Sequence, residues 1–219
     1  MEALKHIAKL LFPPRCVFCR KITDGEGTCA ECRPKLPYCG SVTKKIEFCD
    51  KCAAPFYYTD VVRASLLRFK FRGRRGYAPE YAAYVADEIG KELSGMFDVI
   101  TWVPISEKRF RKRGYDQSRL IAEETAKILG VSAEKLLTKI RDNPAQSSLG
   151  DRARRRANVA GVYEAVSKEK VRGKRVLIID DIVTTGATLS ECARTLLMAG
   201  AESVVCAAAA STPEKKKHS

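Results

Sequence analysis

Histidine is nearly missing from this sequence, and one kind of segment is missing altogether. The only histidines are His6 and His218. Both are isolated and close to the ends, so neither is a candidate catalytic base. No run reaches the roughly 18 consecutive apolar residues of a membrane-spanning helix, which excludes membrane insertion by that route. Residues 1–12, MEALKHIAKLLF, do not make an export signal either. Leu4, Ile7, Leu10 and Leu11 recur at helical spacing, but Glu2, Lys5 and Lys9 interrupt them, and no small-residue cleavage site follows. A short amphipathic helix is expected there. Without export there is no oxidising compartment to build disulfides, so the expected setting is the cytoplasm, with reduced cysteines. Acidic residues are also scarce, 26 against 40 Lys and Arg, for a net charge of +14. Such an imbalance suits a polyanionic partner, a nucleic acid or a phosphorylated ligand, although a merely basic soluble surface has the same charge. Nothing in the sequence speaks to oligomeric state.

What is present divides in two. Residues 1–55 hold the N-terminal helix and a stretch rich in Cys, Pro, Gly and Lys. So short a segment buries little apolar area and needs a metal staple. Residues 56–212 alternate strands with helices, the signature of an α/β domain with a parallel sheet. Tyr81, Tyr84, Val85 and Ile89 predict a helix over 80–93, and DVITWV over 98–103 a strand stopped by Pro104. Leu120, Ile121, Thr125 and Ile128 predict a helix over 115–129 with those residues inward. The wholly apolar run 176–179 is a strand buried on both faces. Leu189, Cys192, Ala193 and Leu196 mark a helix over 188–199 stopped by Gly200, and 203–208 is a further strand. Residues 213–219 read as a disordered tail.

Seven of the nine cysteines lie between Cys16 and Cys52. The first four run Cys16-x2-Cys19-x9-Cys29-x2-Cys32, paired knuckles that suit tetrahedral zinc thiolate geometry. An iron–sulfur cluster is the competing cofactor, but paired knuckles favour a closed, structural zinc site. A shift of 20 residues carries Cys19, Cys29 and Cys32 onto Cys39, Cys49 and Cys52, and Cys16 onto Leu36. The module therefore reads as a duplicated unit whose second copy has lost a ligand, leaving an incomplete second site. Cys192 and Cys206, in apolar surroundings, are expected core thiols.

The chemistry concentrates in Val176-Leu-Ile-Ile-Asp180-Asp181-Ile-Val183-Thr184-Thr185-Gly186-Ala187-Thr188. A buried strand ends in two adjacent carboxylates, then a Thr/Gly turn opens a helix. Ligands of parallel α/β sheets sit beyond the carboxyl ends of the strands. Hydroxyls and free backbone N–H groups at a helix N-terminus suit a phosphate. The segment resembles the phosphoribosyl diphosphate (PRPP) motif of type I phosphoribosyltransferases. That resemblance implies Asp180 and Asp181 facing the ribose hydroxyls, residues 183–188 around the 5′-phosphate, and magnesium arriving with PRPP.

Further motifs extend the likeness. Val103-Pro104 followed by Arg109-x3-Arg113-Gly114-Tyr115-Asp116-Gln117-Ser118 is similar to the VP…RxRGFNQ stretch of the ComF family, with Tyr115 for Phe and Asp116 for Asn. Gln146-x2-Leu149-x2-Arg152-x2-Arg155-x2-Asn158 resembles a second segment of that family, and CxxC repeats ahead of the transferase domain are a third family feature. The resemblance implies a type I phosphoribosyltransferase fold behind a zinc-ribbon-like module. Pro104 and Ile105 would form a pyrophosphate loop, Arg109, Arg113 and Lys70 would assist in PRPP binding, and the Arg-rich stretch 146–158 would close over it. It further implies a role in DNA uptake, with single-stranded DNA and a helicase-like competence protein as candidate partners. Phe69, Phe71 and Tyr77 interleave the basic run Arg68–Arg75, as stacking rings do on single-strand surfaces, although they also fit a core. The remaining readings are a salvage phosphoribosyltransferase acting on a free nucleobase, for which no base-recognition hood is evident, and a PRPP-regulated adaptor without catalysis.

Overall fold

A computed structural model describes residues 13–23, 25, 27–40, 44–142 and 161–213. The expected helix at 1–12, the Arg-rich stretch 146–158 and most of the tail lie outside them.

The framework is a six-stranded, all-parallel sheet. At its centre is β7, Arg175–Val183. On one side β7 pairs with β3, Val99–Trp102, which pairs in turn with β4, Ser132–Ala133. On the other it pairs with β8, Ser203–Ser211. The outer edge of β8 is covered by two short strands, β1, Cys52–Ala53, and β2, Phe56–Tyr57. Alternate residues of a strand point to opposite faces, and both faces here are dry. Leu177, Ile179, Val205, Ala207 and Ala209 belong to one core cluster; Val176, Ile178, Val204, Cys206 and Ala208 belong to the other.

Helices cover both faces. Over the first face lie α1, Asp60–Phe71, α2, Ala78–Glu92, and α4, Gln117–Leu129, with α3, Glu107–Arg113, leading into α4. Over the second lie α6, Ala187–Met198, and a small antiparallel hairpin of β5, Leu137–Lys139, and β6, Tyr163–Ala165, followed by α5, Lys168–Val171. The inward residues expected on α2 and α6 are buried or partly buried. On α4 Ile121 and Thr125 are buried and Leu120 partly so, but Ile128 is exposed, in a last turn that faces solvent.

The cysteine-rich segment packs into the same core. Phe18 meets the rings of Phe56, Tyr81 and Tyr84 edge-on at 5.8–6.4 Å. Ser65 Oγ and Arg68 Nη2 on α1 both donate to the Val17 carbonyl, at 2.7 and 3.0 Å. With β1 already part of the sheet, the change of composition near residue 55 is not a boundary in the packing.

Candidate functional site

In a parallel sheet, loops after neighbouring strands leave at the same end. Three such ends meet here, the turn after β7, residues 103–106 after β3 and the end of β8, and the end of α1 joins them. Asp180 sits near the end of β7. Its Oδ1 accepts from Ser118 Oγ at 2.9 Å and from the Asp181 backbone N–H at 2.8 Å. Burial, and next the adjacent Asp181 carboxylate, push its carboxyl up to about 7. Asp181 is 8% exposed and ion-paired to Lys70 Nζ at 2.7 Å.

The turn that follows lines a recess with Asp180, Val183, Thr184, Gly186, Ala187 and Thr188. Gly186 caps α6 with φ +81°, a conformation that L side chains rarely adopt. A Cβ there would also stand 3.1 Å from Ile46 Cγ1. Thr185 Oγ1 accepts from the Ala187 N–H at 3.4 Å.

Residues 103–106 leave the sheet next to β7, where the Val103 N–H donates to Ile179 O at 3.0 Å, just before Asp180. Asp116 organises them. Its Oδ1 caps α4 through the Arg119 N–H at 3.2 Å, and its Oδ2 accepts from the Ile105 N–H at 3.1 Å. An asparagine offers only one acceptor oxygen and could not serve both sides equally. Burial pushes the Asp116 carboxyl up to about 6, against the pull of those N–H donors.

The cations expected at the site divide. Lys70 reaches Asp181. Arg113 donates to Gln117 Oε1 at 3.1 Å and lies 5.1 Å over the Phe71 ring. Arg109 stands off toward Asp142, with Nε at 4.0 Å from its carboxylate. Lys139, on β5, was not singled out from sequence. Burial and then Arg109 lower its ammonium to about 8, and Asp180 and Asp142 both act on it. The segment Lys135-Leu136-Leu137-Thr138-Lys139 gives little to set this lysine apart from its neighbour. Gln117 is also buried, and its Nε2 has no hydrogen-bond partner among the described residues.

Of the aromatics in the first basic run, Phe69 is fully buried, stacked at 6.0 Å on Tyr81, while Phe71 is 62% exposed. Two positions apart on a helix, they point to different sides. Phe69 is thus a core residue and not a stacking ring, and Tyr77 packs partly buried against the same core.

The sulfurs of Cys16, Cys19, Cys29 and Cys32 lie within 4.8 Å of one another. Cys19 and Cys29 are 3.7 Å apart, and tetrahedral zinc with bonds of ~2.3 Å requires about 3.8 Å. Although burial would raise the Cys16 thiol, backbone N–H groups of Cys29, Cys19 and Phe18 hold it down to about 7, while burial raises Cys19 and Cys32. By their spacing the residues fit zinc. Cys39, Cys49 and Cys52 form no such cluster among the described residues. Cys52 is drawn into β1 opposite Cys206. Cys49 Sγ lies 3.0 Å from Cys206 Sγ. Leu36, in the position of the lost ligand, is buried in the core. Cys192 and Cys206 are fully buried, as expected of core thiols.

Comparison with known proteins agrees with this architecture. Residues 116–219 match the phosphoribosyl transferase domain family, and residues 7–66 match the double zinc ribbon domain. The chain is 27% identical to competence protein F of Haemophilus influenzae over 91% of this chain and 90% of that one. It is 29% identical to the DNA utilization protein YhgH of Salmonella typhimurium, over 86% of each. It is 27% identical to competence protein ComFC of Bacillus subtilis, over 80% of each. Among the described residues no helix is long and apolar enough to cross a membrane.

Two measurements follow. Elemental analysis is expected to give one zinc per chain, lost in Cys16→Ser together with a lowered Tm for the whole protein, because the knuckle shares the domain core. Zinc retained in that variant, or two equivalents in the parent, would contradict the assignment. The second concerns Asp180. Its folded-state pKa lies above its unfolded value, so the carboxylate costs stability above about pH 7 and nothing below 3.8. Asp180→Asn keeps an acceptor for Ser118 and the Asp181 N–H. It is expected to raise Tm at pH 8 by roughly 4–8 °C, taking about 2 kcal/mol of relieved burial and ~2–4 °C per kcal/mol. The gain should shrink toward pH 5, and a gain independent of pH would show that the carboxylate is not the strained group.

Proposed function

We propose that this ComF-type chain, a phosphoribosyltransferase domain behind a double zinc ribbon, binds PRPP with Mg²⁺ at the β7–α6 turn, in the cytoplasm, in the service of DNA uptake. One observation carries the reading: two adjacent carboxylates stand at a strand end directly before a glycine-initiated helix N-terminus, with residues 103–106 beside them. In this reading Asp180 and Asp181 orient the ribose hydroxyls. Residues 183–188 take the 5′-phosphate through backbone N–H groups and threonine hydroxyls. Pro104 and Ile105 carry the backbone that meets the pyrophosphate, and Arg109, Arg113 and Lys70 balance its charge. The Nε2 of Gln117, next in sequence to Ser118 and without a hydrogen-bond partner among the described residues, supports a polar ligand at this end of the sheet. Mg²⁺ arriving with PRPP would neutralise part of the pyrophosphate charge. The reaction open to such a site is displacement at the anomeric carbon. An acceptor lone pair forms the new bond to C1 as the C1–O bond breaks and pyrophosphate departs.

PRPP with Mg²⁺ is expected to stabilise the zinc-loaded protein by mass action, by ~2.7 kcal/mol at a hundredfold excess over Kd, read as a rise in Tm. Asp180→Asn combined with Asp181→Asn should abolish that shift while the protein stays folded. A double variant that binds PRPP as well as the parent would exclude the ribose assignment.

A second reading, of a nucleic-acid surface, has its own observation. Phe71 and Phe110 are 62% and 45% exposed, and Arg113 lies over the Phe71 ring amid the exposed cations Arg72, Arg74, Lys108, Arg111 and Lys112. Rings held beside cations suit single-stranded DNA, whose bases stack for ~1–3 kcal/mol each. The names of the relatives, competence and DNA utilization proteins, point the same way. Phe71→Leu and Phe110→Leu keep charge and most apolar volume. Each is expected to weaken single-stranded DNA binding about five- to hundredfold at fixed ionic strength. Unchanged affinity would reduce the contact to charge alone.

A further inference from the structure

Among the described residues the second cysteine knuckle gathers no metal cluster, yet its chain is firmly seated. The Asp50 N–H donates to Val204 O and the Cys206 N–H to Lys51 O, both at 2.9 Å. Lys51 Nζ pairs with Glu92 at 2.8 Å, and Cys49 Sγ abuts Cys206 Sγ. From this seat two side chains reach the turn after β7. Ile46, 4% exposed, packs against Gly186. Lys44 Nζ donates to the Thr184 carbonyl and, at 2.7 Å, to Thr212 Oγ1. Thr212 Oγ1 in turn lies 3.2 Å from the same carbonyl, and the Thr212 N–H donates to Val183 O at 2.9 Å. The backbone of the turn is thus held from behind by a residue more than a hundred positions upstream.

We propose that Lys44 is a positioning residue for the 5′-phosphate, and that residues 44–52 survive as a bracket for the phosphate turn where the second metal site is lost. The proposal rests on the PRPP reading. In a trans peptide the C=O and N–H point opposite ways. A Thr184 carbonyl held toward Lys44 turns the Thr185 N–H away from Lys44, toward the side on which the ligand lies. The ammonium, behind the turn and bonded to its peptide, adds positive potential where a phosphate dianion would sit. Ile46 against Gly186 sets the start of α6, whose first N–H groups complete the cradle. The segment therefore acts on the phosphate end of the ligand and not on the pyrophosphate end, which lies toward residues 103–106.

That asymmetry gives the test. Binding of ribose 5-phosphate, of pyrophosphate with Mg²⁺, and of PRPP with Mg²⁺ is measured by calorimetry on the zinc-loaded full chain, for the parent, Lys44→Met, Lys44→Arg and Thr212→Val. Lys44→Met is expected to weaken ribose 5-phosphate and PRPP by about tenfold or more, with pyrophosphate unchanged. Lys44→Arg should recover most of the loss, and Thr212→Val, which leaves the lysine in place, should show a smaller loss of the same pattern. Unchanged ribose 5-phosphate affinity in Lys44→Met overturns the proposal, as does an equal loss for pyrophosphate, which would mark a general charge effect. Should Lys44→Met fail to fold, Lys44→Arg and Thr212→Val still decide: parent-like affinity in Thr212→Val with an unrecovered loss in Lys44→Arg overturns it. A parent protein that binds neither ribose 5-phosphate nor PRPP defeats the PRPP reading itself. A parent that binds both, with a Lys44→Met variant that does the same, defeats only the bracket.

Discussion

The parallel register of β7 between β3 and β8 governs where everything else can be. Four residues of β3 and eight of β8 pair with β7 in parallel register, so the turns after all three strands emerge together. Because helices cover both faces, polar groups are excluded from these strands until they near the rim. Asp180 and Asp181 are the first carboxylates past the apolar run. Desolvating Asp180 is unfavourable, and the Ser118 hydroxyl and the Asp181 N–H only partly offset it. The strain is confined to the one place where a ligand could use it.

The same register explains the dependence on distant chain. Asp116 joins the loop after β3 to the start of α4, and α4 presents Ser118 to Asp180. Lys70 arrives from the end of α1, and Lys44 from the cysteine-rich segment. Each contributes only one or two bonds, but none could reach the site if the sheet were offset by a residue, since a slip by one exchanges the two faces.

Much of this was legible in the sequence, for reasons that can be named. The apolar run 176–179 had to be a strand buried on both faces. The carboxylate pair and Thr/Gly turn at its end had one sensible location, and the paired CxxC spacing had one geometry. The α6 stripe of Leu189, Cys192, Ala193 and Leu196 is buried as the helical period requires. What escaped has equally physical causes. Helix α1 mixes arginine and lysine with apolar residues on every side, so its spacing did not separate Phe69 from Phe71. Strands β5 and β6 have three residues each and are far apart in sequence, too short for an alternating pattern to register. Lys44 and Thr212 carry no local signal at all, because their role exists only once the chain has folded back across the sheet.

The strand β8 ends in Ala207-Ala-Ala-Ala210, all buried. So many small side chains make a flat ribbon with little of its own to bury, and among the described residues its outer edge is closed by β1 and β2, two residues each. Those two strands come from the chain that leaves the cysteine-rich segment. A fragment beginning after residue 57 would keep the complete nucleotide-type turn and still present a bare, smooth strand edge, ready to accept a strand from another molecule. The ribbon and the transferase domain are therefore bound to be inherited together. Recombination that separated them would yield not a smaller enzyme-like domain but an aggregating one.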